Sequence, residues 1–344
     1  MKWKEYIRIA ILKNYLINRF VLYFRRIIFF SDYLKVRKNS RREIWDIKEL
    51  SSSLKNTSLE WCLDAAHFGI GKTLKKYVDK KYLKKYYLEH GLFLGDFIHK
   101  DAFYVNTDIF LVQSKFRKKI MFKKIRNKKY FDIGSYIHYA KDYYSNQKML
   151  QLKEQYEKTL LVFPLHSTSE VEYGYDKKEF INEILKLKEQ YKFKTVIVCL
   201  FYEDIQRGEE VEYKRNNFIV VTAGHRYDYY FLSRLKSIIK LSDVTISNAV
   251  GGHVGYCLAL EKPHYIFEQK IKVNGRKTLK DFEEWNNTHD KKEWETFLND
   301  ERKIYEAFSE YTEKITAFQF KVGDYYFGIK NKKTKEEIKN ILGG

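Results

Sequence analysis

The run Ser247-Asn-Ala-Val-Gly-Gly-His253 sets side-chain donors beside two adjacent glycines, between an apolar stretch and an apolar helical pattern that stops before Pro263. A turn of that kind at a helix N-terminus presents backbone N–H groups and the positive end of the helix dipole, which together favour a phosphate. Gly251 and Gly252 allow close backbone approach, and Ser247, Asn248 and His253 supply donors. The spacing fits neither a dinucleotide fingerprint nor a P-loop. An ordinary strand–turn–helix capped by Ser247 or Asn248 is the other reading.

Those residues need strands and helices to hold them, and the C-terminal half supplies both in alternation. Leu160 to Pro164, Thr195 to Phe201, Phe218 to Thr222 and Val244 to Ser247 read as strands; Tyr175 to Tyr191 and Tyr229 to Leu241 read as helices, the first opened by Asp176. Units of this length describe a doubly wound α/β domain, in which ligands sit beyond the C-terminal strand ends. The loops there are Leu165-His166-Ser167-Thr168-Ser169, Tyr202-Glu203-Asp204, Ala223-Gly224-His225-Arg226 and Ser247 to His253. All four are polar and three carry a histidine, so they converge on one ligand-binding edge. His225 and Arg226 suit a nucleobase or phosphate; Arg226 paired with Asp228 or Glu203 is the alternative.

The first half alternates as well. Lys72 to Tyr87 reads as a helix, His90-Gly-Leu-Phe-Leu-Gly-Asp96 as a turn, Phe103 to Val112 as a strand, and Tyr130 to Ser135 as a strand entering a glycine turn. Beyond residue 275, Leu279 to Leu298, Glu301 to Phe318 and Thr334 to Leu342 read as helices, with Trp285, Trp294 and Phe297 as core anchors.

Charge divides the chain. Residues 1–155 carry 34 Lys and Arg against 15 Asp and Glu, whereas residues 156–344 carry 31 against 30, so the formal +20 belongs to the first part. The division predicts segments 1–42, 43–155, 156–275 and 276–344, and an anionic partner for the basic half. Within residues 1–42, twelve basic residues interleave with Trp3, Ile7, Leu16, Phe20, Phe24 and Ile27, and no uncharged run exceeds five residues. That excludes a spanning helix and a signal peptide and suits a helix lying on an anionic leaflet; packing against the protein is the other reading. No nucleic-acid module is present, so nucleic acid is not expected as a partner. The three cysteines, Cys62, Cys199 and Cys257, form no CxxC pair, which suits a reducing cytoplasm and excludes a thiolate zinc site. Gly69-Ile-Gly71-Lys72-Thr73 looks like the end of a P-loop, but Ala66 stands where a glycine is required. The histidines lack metal-ligand spacing, and no metal is expected.

Taken in order, His90-Gly91, Asp132-Ile-Gly-Ser135, Phe163-Pro-Leu-His-Ser-Thr-Ser169 and Ser247-Asn-Ala-Val-Gly-Gly-His253 with Lys262-Pro263 resemble glycosyltransferases of the GT-B fold that assemble bacterial surface polysaccharides, capsule or lipopolysaccharide. The resemblance covers roughly residues 85–270. It implies two Rossmann-like domains facing a cleft, with acceptor on the N-terminal one and nucleotide-sugar on the C-terminal one. It also implies that Ser247, Asn248, Gly251 and Gly252 cradle donor phosphates, with His166, Ser167 and Thr168 facing the nucleotide. The implied acceptor is a glycan or lipid-linked molecule at the inner face of the cell membrane. Nucleotide-sugar epimerases and polyol-phosphate transferases share this order of motifs, and a non-catalytic membrane-surface protein is a further class.

The departures narrow the expectation. Similar sialyltransferases carry a His-Pro dipeptide, where this chain has Pro164-Leu165-His166; similar retaining enzymes carry two glutamates eight positions apart, where this chain has His253 and Glu261. An inverting, metal-independent transfer is the expectation that follows. It needs a base to deprotonate the acceptor and positive potential behind the leaving phosphate. His90 or Asp96, on one glycine-flanked turn, is the candidate base; capping roles for both are the alternative.

Overall fold

The computed structural model describes residues 2–81, 83–168, 171–275 and 291–343. The chain is a mixed α/β protein with two parallel sheets. Three short strands, β1 (Tyr87–Leu88), β2 (Ile109–Val112) and β3 (Lys129–Asp132), form the first sheet in sequential order. The second takes β4 (Thr159–Phe163), β6 (Thr195–Cys199), β7 (Ile219–Val221), β8 (Val244–Ser247) and β9 (His264–Ile266) in the order β7-β6-β4-β8-β9, every pair parallel. An antiparallel pair, β5 (Val171–Gly174) with β10 (Lys272–Gly275), stands apart.

Successive side chains of a strand point to opposite faces, and the five-stranded sheet uses both. Leu160, Val162, Val196, Val198, Val244 and Ile246 pack with Phe180 and Ile184 of the helix Lys177–Gln190. Leu161, Phe163, Ile197 and Val221 turn the other way, into a cluster with Leu235 and Ile238 of the helix Phe231–Leu241. That cluster continues without a break to Tyr87, Phe110 and Leu111 of the small sheet. The strand order reverses at β4, whose neighbours are β6 on one side and β8 on the other, so a crevice opens at the β4 and β8 ends.

Several segments differ from the sequence reading. The helix expected over Lys72 to Tyr87 spans Ile70–Tyr77 and stops before Asp79, whose φ of 52° no helix accommodates; Tyr87 starts β1 instead. Phe103 to Val112 divides into a helical turn, Asp101–Tyr104, and β2. Of the helices expected over Leu279 to Leu298 and Glu301 to Phe318, residues 279–290 lie outside the described residues; from Lys291 one helix runs through the expected break to Phe308, and Ala317–Phe327 follows. Trp285 lies outside the described residues, and Trp294 is exposed, stacked 5.3 Å from the half-buried Phe297 rather than in the core. The C-terminal segment returns to the first sheet, where Lys84 N–H donates to the Leu342 carbonyl at 2.9 Å.

The basic N-terminus forms three helices, α1 (Lys2–Lys13), α2 (Tyr15–Ile28) and α3 (Phe30–Lys38). One side of α2 is tied to the protein through Asn18 to the Trp61 carbonyl, Arg19 to Leu59 and Arg26 to Thr57, at 3.3, 2.8 and 2.8 Å. The opposite side carries Leu16, Phe20 and Ile27 at 77%, 71% and 72% exposure, with Phe24 between them. Their i, i+4, i+8, i+11 spacing makes one apolar stripe, facing away from the fold. Among the described residues no helix is long and apolar enough to cross a membrane.

Candidate functional site

The turn after β8 divides into support and surface. Ser247 and Asn248 are fully buried. Ser247 Oγ donates to the Ala249 carbonyl at 2.9 Å and lies 3.0 Å from His264 Nε2. Asn248 Oδ1 accepts from Leu165 N at 2.7 Å, and its Nδ2 donates to Gln269 at 3.1 Å. These side chains brace the turn from behind; the part left half-exposed is Gly251 and Gly252 at the start of the helix Gly252–Ala259, with the His253 ring turned inward and its Nε2 buried without a hydrogen-bond partner. A Cβ at Gly251 would lie 2.8 Å from the His253 ring, so only glycine leaves room for that ring to fold back onto Phe163, 5.1 Å away and nearly parallel. Burial, with His166 nearby, pushes the His253 pKa down to about 3, leaving a neutral imidazole at the helix N-terminus.

The loop after β4 splits in the same way. Ser167 is buried, its N–H donating to Asp204 at 3.3 Å while its Oγ accepts from Tyr173 N at 3.0 Å. Thr168 is half-buried, and His166 is exposed, its ring 4.4 Å from Phe201. Ser169 lies outside the described residues.

Opposite the glycine turn stands His90. A Cβ on Gly252 would lie 3.9 Å from the Gly91 Cα, so the His90-Gly91 turn and the helix N-terminus are in contact range. His90 Nδ1 pairs with the buried carboxylate of Asp64. Burial alone would raise the Asp64 pKa, but the hydrogen bond and charge of His90, with His99 and His67 behind, bring it below the usual carboxylate range. A buried carboxylate on Nδ1 orients the ring and, in the neutral imidazole, places the proton on Nδ1 and the lone pair on Nε2, the arrangement a general base requires. His67 Nδ1 sits within hydrogen-bond distance of both ring nitrogens of His90, 3.1 Å from Nε2 and 3.4 Å from Nδ1. Burial, then the charge of His90, push His67 down to about 3, so it stays neutral. The strained turn that delivers His67 is locked in place. Phe68 has φ 56° and donates its N–H to the Arg226 carbonyl at 2.6 Å, and a Cβ on Gly69 would strike the Tyr229 carbonyl at 2.6 Å.

Asp96 sits at the far end of its turn. It is half-exposed and makes no hydrogen bond or ion pair among the described residues, while its neighbour Gly95 is held by Asp300 at 3.0 Å on a C-terminal helix. The structure thus gives His90 a carboxylate partner, Asp64, and gives Asp96 none. Folding also brings Asp64, His99 and Asp101 together, with possible ligand atoms within 4.8 Å of one another, which linear spacing did not reveal. Arg8 occupies the Asp101 carboxylate at 2.6 Å and His90 that of Asp64.

His225 and Arg226 lie elsewhere on the edge, beyond β6 and β7. They line an open cavity of about 680 Å³ with Tyr202, Glu203 and Tyr227, and with Arg25 of α2 and Phe29 just after it. Arg226 pairs with Glu203 at 3.6 Å, between the rings of Tyr202 and Tyr227. His225 is buried and accepts from Tyr227 N at 3.1 Å; burial and then Arg226 push its pKa down to about 3. The ring of Tyr227 lies 5.4 Å from that of His67, so one aromatic layer separates this cavity from His90.

Asp64 and His67 escaped the sequence reading, although their three-residue spacing beside the strained glycine turn was available as a signal. Arg25 carried none, because a cation inside a basic amphipathic segment reads as facing lipid or water, and Lys55 belongs to no motif. Neither models of known protein families nor curated protein sequences match the chain.

Proposed function

We propose that the protein is a glycosyltransferase that moves a sugar from a nucleotide-sugar to a surface-glycan acceptor held at a membrane, by an inverting, metal-independent reaction. The observation that carries this reading is the meeting of two half-sites: the carboxylate-backed imidazole of His90 and the helix N-terminus at Gly252, brought together by the Gly91–Gly252 approach. A GT-B arrangement, with two Rossmann-like units facing a cleft, would make the small sheet the acceptor side and the five-stranded sheet the donor side.

In this reading the donor lies at the β4–β8 crevice, its phosphates toward Gly251, Gly252 and His253 and its nucleoside toward His166. His90 Nε2 takes the proton of the acceptor hydroxyl as that oxygen bonds to the anomeric carbon. The bond from that carbon to the donor phosphate breaks, and the phosphate leaves with its electron pair, its charge stabilised by the helix N-terminus. Asp64 offsets the charge that forms on His90. The apolar stripe and the cations of α1 and α2 support an anionic bilayer as the place where the acceptor is met; a soluble epimerase would have no use for them.

The test is a transfer assay in excess EDTA. UDP-, CMP-, CDP- and GDP-sugars with radiolabel are offered to the intact protein with a lipid-linked glycan extract. Label should pass from one donor class into the lipid fraction. Transfer that EDTA abolishes would remove the metal-free mechanism, and binding of no nucleotide in a parallel titration would remove the donor site.

A further inference from the structure

The cavity beyond β6 and β7 lies on the opposite side of β4 from the crevice assigned to the donor, and its chemistry is unused by the reaction above. Four cations line it, Arg25, Lys55, Arg207 and Arg226, against one carboxylate, Glu203. Arg207 is occupied by Asp204 and Glu203 at 3.0 and 3.3 Å, and Arg226 by Glu203. Arg25 and Lys55 have no carboxylate partner among the described residues, and Arg25 Nε is buried without a hydrogen bond. A half-buried guanidinium with no counter-charge is costly to keep, and an anionic ligand would offset that cost.

The wall that supplies Arg25 is α2, whose far side is the exposed apolar stripe. Phe29, at the end of α2, lines the cavity, while its neighbours Ile28 and Phe30 are exposed. Apolar surface therefore runs from the cavity wall to the face that would lie on a bilayer. A volume of about 680 Å³ is in the range of small-molecule sites.

We propose that this cavity receives the phosphate or diphosphate head of a membrane lipid, whose hydrocarbon tail leaves past Phe29 along α2. The inference rests on the transfer reading, for which it names the acceptor class, and it assigns Arg25 and Lys55 as the cations that hold the head. Tyr227, whose ring lies 5.4 Å from that of His67, is the wall that a sugar attached to that head would have to pass to reach His90.

Geranyl diphosphate, pyrophosphate, geraniol and free nucleotides are titrated into the intact protein by calorimetry. Geranyl diphosphate should bind, pyrophosphate about tenfold or more weakly, and geraniol not measurably. Arg25→Gln and Lys55→Gln should each weaken geranyl diphosphate by about 10- to 100-fold and leave nucleotide affinity unchanged. His253→Ala should do the reverse. Lys55 is exposed, so its variant stays informative if the Arg25 variant unfolds. Undiminished geranyl diphosphate affinity in both variants, displacement of geranyl diphosphate by nucleotide, or equal binding of pyrophosphate would overturn the proposal. Loss of nucleotide binding alone would count against the donor site and not against this cavity.

Discussion

The two ends of the C-terminal strand edge of the five-stranded sheet are built in opposite ways. At β8 the polar side chains are consumed internally: Ser247 and Asn248 reach His264, Leu165 and Gln269, and the surface left over is mostly glycine backbone. Beyond β6 and β7, long cationic side chains from these loops and from the N-terminal segment line a cavity. The first construction fixes dipoles in place and tolerates little change of shape, which suits one phosphate position. The second relies on flexible charges and an aromatic wall, which suits a larger anionic ligand. Between them stand Tyr227, His67 and His90, within one or two rings of both.

The sharpest way to test that division is at its midpoint. His90→Ala should cut turnover by about 10²- to 10⁴-fold while leaving nucleotide and lipid affinities in place, as removal of a general base does. Single-turnover rates and binding isotherms on one preparation check it; matched losses in affinity and rate would make His90 a binding group. Asp64→Asn should show a smaller loss, with the pH–rate profile shifted, because Asp64 acts through His90.

Next in size is the support of the β7 loop. Arg234 and Asp228 form a fully buried pair at 2.7 Å, and Asp228 also holds Asn39 at 3.0 Å and Tyr230 N at 2.8 Å. Arg234→Met strands a buried carboxylate and should cost about 3–5 kcal/mol in urea unfolding. A cost below ~1 kcal/mol would mean that the loop, and the cavity it frames, is not held by this pair.

Replacing Phe20 and Ile27 together by Ser should lower the affinity for anionic vesicles by about 2–5 kcal/mol, given the worth of burying each side chain. Vesicle sedimentation measures it, and unchanged binding would show that α2 does not face lipid.

Acid should weaken the same midpoint. His67 and His225 are buried and held near a pKa of about 3, below the 6.5 of the free side chain. The unfolded chain therefore binds more protons between those values, and stability is present above pH 6.5 and lost as pH falls toward 3. Asp64, whose pKa is lowered from 3.8, adds to the loss only at the acid end. Denaturant unfolding across this range should show the slope, and His67→Asn should reduce it by the share of one histidine, with His166, His225, His253 and His264 supplying the rest.

Ser247→Ala removes an internal hydroxyl and should cost about 1–3 kcal/mol of stability, with nucleotide affinity little changed. A loss confined to nucleotide binding would return Ser247 to the phosphate surface.

Much of the five-stranded half is legible in the sequence, because parallel buried strands are continuous apolar runs and Asp176 caps its helix in the ordinary way, accepting from Glu179 N at 3.0 Å. Val244–Ser247 falls where the pattern puts it. The small sheet is less legible: its strands are two to four residues long, too short for periodicity, and Tyr87 reads as the end of a helix until the chain is folded. At the site, residue type identifies His90 and the glycines, but not which groups meet them. Asp64 lies 26 residues from His90 and Arg25 some 200 from Arg226, and pairings at such range depend on topology.

The central claim is that the donor nucleotide is held at the β4–β8 crevice and not in the cavity under α2. Calorimetric titration of UDP, CMP, CDP and GDP into wild type, His253→Ala and Arg25→Gln tests it directly. The account predicts that one of these nucleotides binds wild type, binds His253→Ala weaker by about 1–3 kcal/mol, and binds Arg25→Gln as it binds wild type. Loss in Arg25→Gln with full affinity in His253→Ala would place the nucleotide under α2 and contradict the account.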